Sequence, residues 1–293
     1  MQEKVMKLQR FDNPEIFRDT VQDYLIQNEA ENNLPLGILN NIISGDYRER
    51  EPYLALIEEK GELALIALCT PPHPALFSFQ KPSPPDEILE LILRDLMDFL
   101  EDDFVGISGP KKLAARLKDI WEEMTGRKAE KHMAMRIYKL DVVFPPPVSA
   151  GFIRPLEKKD RRLITDWLNG FYREAVQESP DPARARKQVE LYLKADPKLR
   201  GLMIWEKNGI QVSMAGYAGP TLNGIRVGVV YTPPEQRKRG FASAVTAGLS
   251  QHLLDMGFKF CFLFTDLLNP TSNYIYQQIG YKPVCDVDRY DFK

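Results

Sequence analysis

The residues best suited to do chemistry lie between Val229 and Ser243, in the stretch VVYTPPEQRKRGFAS. An apolar strand ends in Pro233-Pro234, a basic loop containing Gly240 follows, and a helix opens at once. The first amides of a helix lack intrahelical partners, and the helix dipole leaves that end partly positive. Gly240 lets backbone approach a ligand closely, and Arg237, Lys238 and Arg239 add charge beside it. Alone, such a loop is also a solvated basic turn. Between a strand and a helix it reads as an anion site suited to a phosphate-bearing ligand.

A second block runs from Asn269 to Tyr281, NPTSNYIYQQIGY. Asn269 before Pro270 is an N-cap with proline at the first helical position. Ile275 and Ile279 share the core-facing side of that helix, and Tyr276 lies one position round, at the edge of the face. Tyr276 is then either a packed ring with a satisfied hydroxyl or a proton donor. Asp266, just after an aromatic apolar strand, is a candidate base and equally an ordinary turn residue. Glu206, beside the tip of what reads as an exposed hairpin, and His252, in mid-helix, are weaker candidates. Three cysteines and three histidines are too few and too scattered for a disulfide framework or a metal centre, so Cys261 reads as strand packing.

Taken together, the two blocks resemble the GNAT superfamily of acetyl-CoA-dependent N-acyltransferases. Arg237-Lys238-Arg239-Gly240-Phe241-Ala242 fits its pyrophosphate loop, Q/R-x-x-G-x-G/A. Asn269 to Tyr281 fits N-x-x-S/A-x-x-x-Y-x-x-x-G-F/Y, in family order and at family spacing. The resemblance covers Gly151 to Lys293 well and the first half only through its order of elements. It implies a tandem chain with an intact C-terminal unit and a degenerate N-terminal one, as in the glycine N-acyltransferase-like group, with acetyl-CoA as co-substrate. Under it, amides of Val229, Val230 and Tyr231 hold the pantetheine arm and face the thioester carbonyl. Amides from Arg237 through Lys238, Arg239, Gly240, Phe241 and Ala242, with the Arg237 and Arg239 side chains, hold the pyrophosphate. Ser243 adds a hydroxyl or an amide, Asn269 bonds the pantetheine, and Tyr276 lies near the sulfur and protonates the departing thiolate. Phe241 is expected to point into the core. The implied reaction is direct attack of an amine, from a small molecule or amino acid, on a CoA thioester. The rivals are a silent CoA-binding sensor and a protein or lysine acetyltransferase.

The elements that must position these residues are legible from periodicity. Apolar residues at helical spacing mark helices over Pro14–Ile43, Glu87–Leu100, Lys111–Met124, Lys158–Lys194, Ser243–Met256 and Asn269–Ile279. Hairpins are expected at Tyr53–Cys69, around Glu-Lys-Gly, and at Leu202–Ala218, around Lys-Asn-Gly. Further strands are expected at Ala75–Phe79, Phe104–Ile107, Met133–Leu140, Ile225–Thr232 and Phe258–Phe264, with another beginning at Tyr281. Helix, strand, helix, strand recurs in both halves, which suggests an internal duplication. The class is α+β, two tandem units each with a mixed, mostly antiparallel sheet flanked by helices. Pro145-Pro146-Pro147 reads as a stiff connector, dividing a domain of residues 1–145 from one of 151–293. In the first half, Gln80-Lys81-Pro82-Ser83-Pro84-Pro85-Asp86 stands where the basic loop would be. Its prolines withhold donors and Asp86 repels phosphate, so that half is expected to bind no CoA.

Composition bounds the rest. The 293 residues suit two domains, and 44% hydrophobic with 27% charged residues is globular. Thirty-nine basic against 41 acidic residues gives a formal charge of −2, without the basic excess that nucleic acid or an anionic membrane calls for. The sequence has no stretch of transmembrane length and no apolar signal core at its start, so a soluble cytoplasmic protein is expected.

Overall fold

The computed structural model describes residues 6–45, 50–79, 84–147, 150–177 and 179–293. The chain forms two compact units, Met1–Arg136 with Cys285–Lys293, and Ile137–Val284. Short turns aside, one order of elements occurs twice. It runs first through β1 (Met6–Arg10), α1 (Pro14–Gln27), α2 (Asn33–Ile43), β2 (Tyr53–Glu59), β3 (Glu62–Cys69), β4 (Ala75–Ser78), α3 (Asp86–Leu100), β5 (Gly106–Pro110), α4 (Lys111–Thr125) and β6 (Ala129–Leu140). It runs again through β7 (Phe152–Pro155), α5 (Arg161–Phe171), α6 (Pro182–Lys194), β8 (Arg200–Lys207), β9 (Ile210–Ala218), β10 (Gly224–Tyr231), α7 (Phe241–Asp255), β11 (Phe260–Asp266), α8 (Pro270–Ile279) and β12 (Lys282–Phe292). The duplication suggested by four elements extends to all ten.

In the first unit β1 to β4 pair antiparallel in sequence order, β4 pairs parallel with β5, and residues 287–291 of β12 pair antiparallel with β5. Strand side chains alternate between faces. Tyr53, Ala55 and Ile57 join α3 and α4 in one core cluster, while Leu54 and Leu56 join α1 and α2 in the other. A strand covered on both faces needs an unbroken apolar run, which is why YLALI does not alternate. The hairpin turns use consecutive left-handed residues, Lys60 and Gly61 in this unit and Asn208 and Gly209 in the second, as a two-residue turn between twisted strands requires.

In the second unit β7 to β10 pair antiparallel in sequence order, β10 pairs parallel with β11, and β11 lies next to β6. Helices α7 and α8 cover one face with Ile225, Val227, Tyr138 and Leu140, and α5 and α6 cover the other with Leu202, Ile204, Met214 and Tyr231. Glu206 is a correction: it is no exposed hairpin residue. Its carboxylate accepts from Arg154 Nε at 2.6 Å, and the same guanidinium holds Asp160 at 2.7 and 2.9 Å. That buried tie fastens β7 to β8 at the entry to α5.

Two strands change unit along their length. Strand β6 begins in the first unit and ends in the second, and β12 does the reverse, so the proline run at residues 145–147 lies inside the second unit. Tyr138 and Leu140 are fully buried in the second unit's core. A chain beginning at residue 150 lacks both, a loss of about 5–10 kcal/mol by the usual cost of deleting large core side chains, comparable with a domain's whole stability. Such a fragment is expected to melt without cooperativity and to aggregate on size exclusion. A soluble, cooperatively unfolding fragment would contradict this division of the chain.

Candidate functional site

The site begins with two parallel strands that part. Strand β10 pairs with β11 only over Gly224–Arg226 against Phe260–Phe262, although both continue, to Tyr231 and Asp266. On its other side β10 shifts register with β9 between Gly228 and Tyr231, and Val229 takes φ 52°. A β-branched residue rarely adopts that backbone, and a bulge there turns the amides of Val229 and Val230 out of the ladder. Side chains alternate around the kink: Val229 packs on the α5–α6 side and Val230 on the α7–α8 side. Beyond Tyr231, Ser213 Oγ donates to the Tyr231 carbonyl at 3.1 Å and meets Thr232 Oγ1 at 2.8 Å, which re-anchors the strand.

The basic loop follows. Lys238 and Gly240 both have positive φ, 61° and 78°, and alternating backbone of this kind turns neighbouring N–H groups to one side. Gly240 is the N-cap of α7 and supplies no side chain to the cap, whereas Asp181 caps α6 and Asn269 caps α8 through their side chains. The first intrahelical bond runs from Ala244 N–H to Gly240 at 3.0 Å, so the amides of Phe241, Ala242 and Ser243 precede it. Phe241 is buried, as expected. Arg237, Lys238, Arg239 and Gly240 are exposed. The donor set suits a phosphate.

Arg237 has work within the protein. Its Nε donates to the Thr232 carbonyl at 2.9 Å, its Nη2 to Glu174 at 2.5 Å, and its guanidinium lies 5.8 Å from the centre of the Tyr231 ring. Tyr231 also donates to Glu174, at 3.3 Å. Glu174 sits in a π turn, Tyr172–Val176, that extends α5. Its carboxylate therefore links the end of α5 to the loop, a tie no local sequence pattern marks. Arg239 donates to Gln236 at 2.6 Å.

The second block closes the far side. Asn269 Oδ1 accepts from Ser272 N–H at 3.0 Å, the cap read from the sequence. Asp266 accepts from Leu268 N–H at 2.8 Å, and its carbonyl accepts from Asn273 Nδ2 at 2.8 Å. Asp266 thus shapes the turn between β11 and α8. Asn273, missed in the sequence, also accepts from the Tyr138 hydroxyl at 2.9 Å. Tyr276 is buried in the α7–α8 core with its ring 6.0 Å from that of Tyr281. Burial pushes its hydroxyl up to about 12, against an opposing hydrogen bond with Ser272. His252 is half-buried on α7. Burial pushes the Cys69 and Cys261 thiols up to about 12, the reverse of what a nucleophile needs. Among the described residues, no cluster of His, Cys, Asp and Glu is arranged to hold a metal ion, and no helix is long and apolar enough to cross a membrane.

The first unit diverges at the matching place. Residues 80–83 lie outside the described residues. Helix α3, in the position of α7, has Pro85 as N-cap and Asp86 and Glu87 in its first turn, and Asp86 pairs with Arg116. Acids at a helix N-terminus satisfy its positive end and repel phosphate.

Comparison with known proteins places this architecture. The family model of FR47-like protein matches residues 220–289, from the turn before β10 into β12. A search of curated proteins finds no match. Solved structures match at low identity. A Drosophila protein is 12% identical with a TM-score of 0.66, covering 99% of each chain. A GCN5-related N-acetyltransferase from Sphaerobacter thermophilus is 14% identical with a TM-score of 0.64, covering 98% of this chain and 95% of its own. Another from Kribbella flavida is 14% identical with a TM-score of 0.57, covering 78% and 86%. The fold is that of the GNAT superfamily.

A buried phenol raised to about 12 against an unfolded value near 10 contributes stability that is complete below pH 10. That contribution is lost as pH rises through the folded value. The denaturant midpoint of the intact chain is expected to fall between about pH 10 and 12, and to fall less steeply in Tyr276→Phe. Identical alkaline profiles would place the Tyr276 hydroxyl in water.

Proposed function

We propose that this protein is an acyl-CoA-dependent N-acyltransferase whose second unit carries the site, moving an acetyl or short acyl group to the amine of a small molecule or amino acid in the cytoplasm. The observation that carries this reading is the pairing of a parted, kinked β10 with a helix N-terminus that has no side-chain cap, in one continuous stretch of chain. The strand end offers amides to an extended amide-bearing arm, and the loop and helix offer amides and cations to a pyrophosphate. The thioester of the co-substrate supplies the activated acyl carbon.

The chain's own groups then have separable tasks. The Val229, Val230 and Tyr231 amides hold the pantetheine arm and polarise the carbonyl, an effect that strengthens as negative charge develops on its oxygen. The amides of Lys238 to Ser243, with Lys238 and Arg239, hold the phosphates. Arg237 braces the loop through Glu174 and adds positive potential beside it. Fixing the donor next to the acceptor supplies much of the acceleration through proximity. The attacking nitrogen must be neutral, so its ammonium proton leaves to water or to Asp266. As the new N–C bond forms, the C–S bond breaks and the thiolate takes a proton. Tyr276, raised to about 12, keeps its proton across the neutral range and so serves as donor rather than base.

Two variants test this. Gly240→Glu puts a side chain and an acid into the phosphate space and forces a side-chain-bearing residue into left-handed backbone. Calorimetry with acetyl-CoA is expected to show binding lost while the circular dichroism spectrum is retained, and unchanged binding would overturn the site. Tyr276→Phe is expected to lower kcat by on the order of 10²-fold with KM for acetyl-CoA nearly unchanged. Normal turnover across the pH range would make Tyr276 a packing residue. A chain that binds acetyl-CoA but releases no thiol with any amine would be a sensor.

A further inference from the structure

We propose that Tyr192 on α6 selects the acceptor: its hydroxyl donates a hydrogen bond to an oxygen that the acceptor carries near its amine. The oxygen-bearing part of that molecule occupies a hollow over Gly228. This deepens, and rests on, the acyltransferase reading.

The hollow follows from the kink in β10. Gly228 pairs with Gly216 of β9 and Tyr231 with Met214, so Val229 and Val230 stand against Ala215 alone. Two residues opposite one make a bulge, which upsets the alternation of side chains. Paired positions share a face, and alternate residues along a strand return to it. Met214 belongs to the core beneath α5 and α6, so Gly216 and Gly228 face those helices. Val229 packs in the same core. Two consecutive residues of β10 thus face one way, and the first has no side chain. A Cβ added at Gly228 would meet nothing within 4 Å among the described residues, and its φ is not positive. Neither backbone conformation nor a packed neighbour calls for glycine there. Glycine inside a strand then marks a close approach by a ligand. Strand β10 lies between β9 and β11, yet Gly228, Val229 and Val230 are all half-exposed. The hollow therefore opens to solvent beside the amides assigned to the acyl donor.

Tyr192 forms its wall on the β9 side. A Cβ added at Gly216 would meet the Tyr192 hydroxyl at 3.0 Å and Val229 Cβ at 3.5 Å. The hydroxyl and the Val229 side chain thus close on one point next to the hollow. The hydroxyl is oriented as well. The Tyr172 hydroxyl donates to Gln188 Oε1, and Gln188 Nε2 donates to the Tyr192 hydroxyl at 3.2 Å. A phenolic hydroxyl both donates and accepts, and among the described residues the Tyr192 proton has no acceptor. Burial pushes this hydroxyl up to about 12, against the Gln188 bond and the charges of Arg200 and Arg226. It therefore keeps its proton at neutral pH and stays a donor. Donation along the chain from Tyr172 strengthens the last bond. What the hollow lacks is an acceptor atom. A carbonyl, hydroxyl or carboxylate oxygen on the substrate supplies one, and a plain alkylamine does not.

The test uses the full-length chain with acetyl-CoA and a panel of amino acids, amino-acid amides and amino alcohols. Each is set beside the alkylamine of the same carbon skeleton. The ratio of wild type to variant for each probe cancels differences in amine basicity. In Tyr192→Phe the kcat/KM for the best oxygen-bearing acceptor should fall roughly 5- to 20-fold, the range for losing a neutral hydrogen bond. The matching alkylamine, measured at high concentration, should change little, and calorimetry with acetyl-CoA should be unchanged. Gly228→Ala puts a methyl group into the hollow and should raise KM for the same oxygen-bearing acceptors. It carries the test if Tyr192→Phe does not fold. An equal fall for both members of a pair would put the hydroxyl on the acyl donor, and no fall would make Tyr192 a packing residue. Either result overturns the assignment. If acetyl-CoA binds but no amine is acylated, the acyltransferase reading fails. Saturation-transfer NMR of the oxygen-bearing probes on the CoA complex then decides the Tyr192 site separately. Binding that Tyr192→Phe weakens supports it, whereas no binding, or binding the variant leaves unchanged, overturns it.

Discussion

Much of the second unit depends on one place where backbone pairing stops. Backbone donors in a sheet interior demand partners, and β10 abandons β11 after Arg226 while both strands continue. Left alone, that gap would be a costly fault. The chain supports it with specific contacts: Ser213 holds the Tyr231 carbonyl, Asn273 ties the end of β11 to α8, and Glu174 fastens Arg237 across Tyr231. The positive φ at Val229 stores local strain that only such a framework can hold. Under the proposed function, an extended ligand with its own amides is the partner of this edge.

The two units show how a duplicated order of elements can keep its packing while one helix N-terminus changes its residues. Both keep helices on two faces of a mostly antiparallel sheet, because each strand needs cover on both faces, and both keep a parallel pair, β4 with β5 and β10 with β11. The helix that connects the two strands of that pair differs in a few residues. Neither helix has a side-chain cap, but Gly240 opens α7 in a run of arginine and lysine, whereas Pro85, Asp86 and Glu87 open α3. Burial leaves the core residues of either unit little latitude, whereas a helix N-terminus in solvent changes its preferred ligand with a few substitutions.

What was legible in the sequence was local. Hairpin turns at Lys60-Gly61 and Asn208-Gly209, the cap at Asn269 and the loop at Gly240 each depend on neighbours in the chain, so composition and spacing reveal them. Pairing between distant segments leaves no such trace. Nothing near Arg136 or Cys285 signals that β6 and β12 change unit, and Glu206 looks solvated until Arg154 is found beside it, 52 residues away. Short β1 and β7 went unread because edge strands of four or five residues carry too little pattern.

Hydrogen exchange on the intact chain with and without acetyl-CoA tests the central claim most directly. Amides that pair with a ligand exchange slowly only when it is present. Protection is expected over Val227–Tyr231 and from Lys238 to Ala244, with residues 84–93 at the start of α3 unchanged. Unaltered exchange along β10 and α7, or protection at α3 instead, would contradict the account.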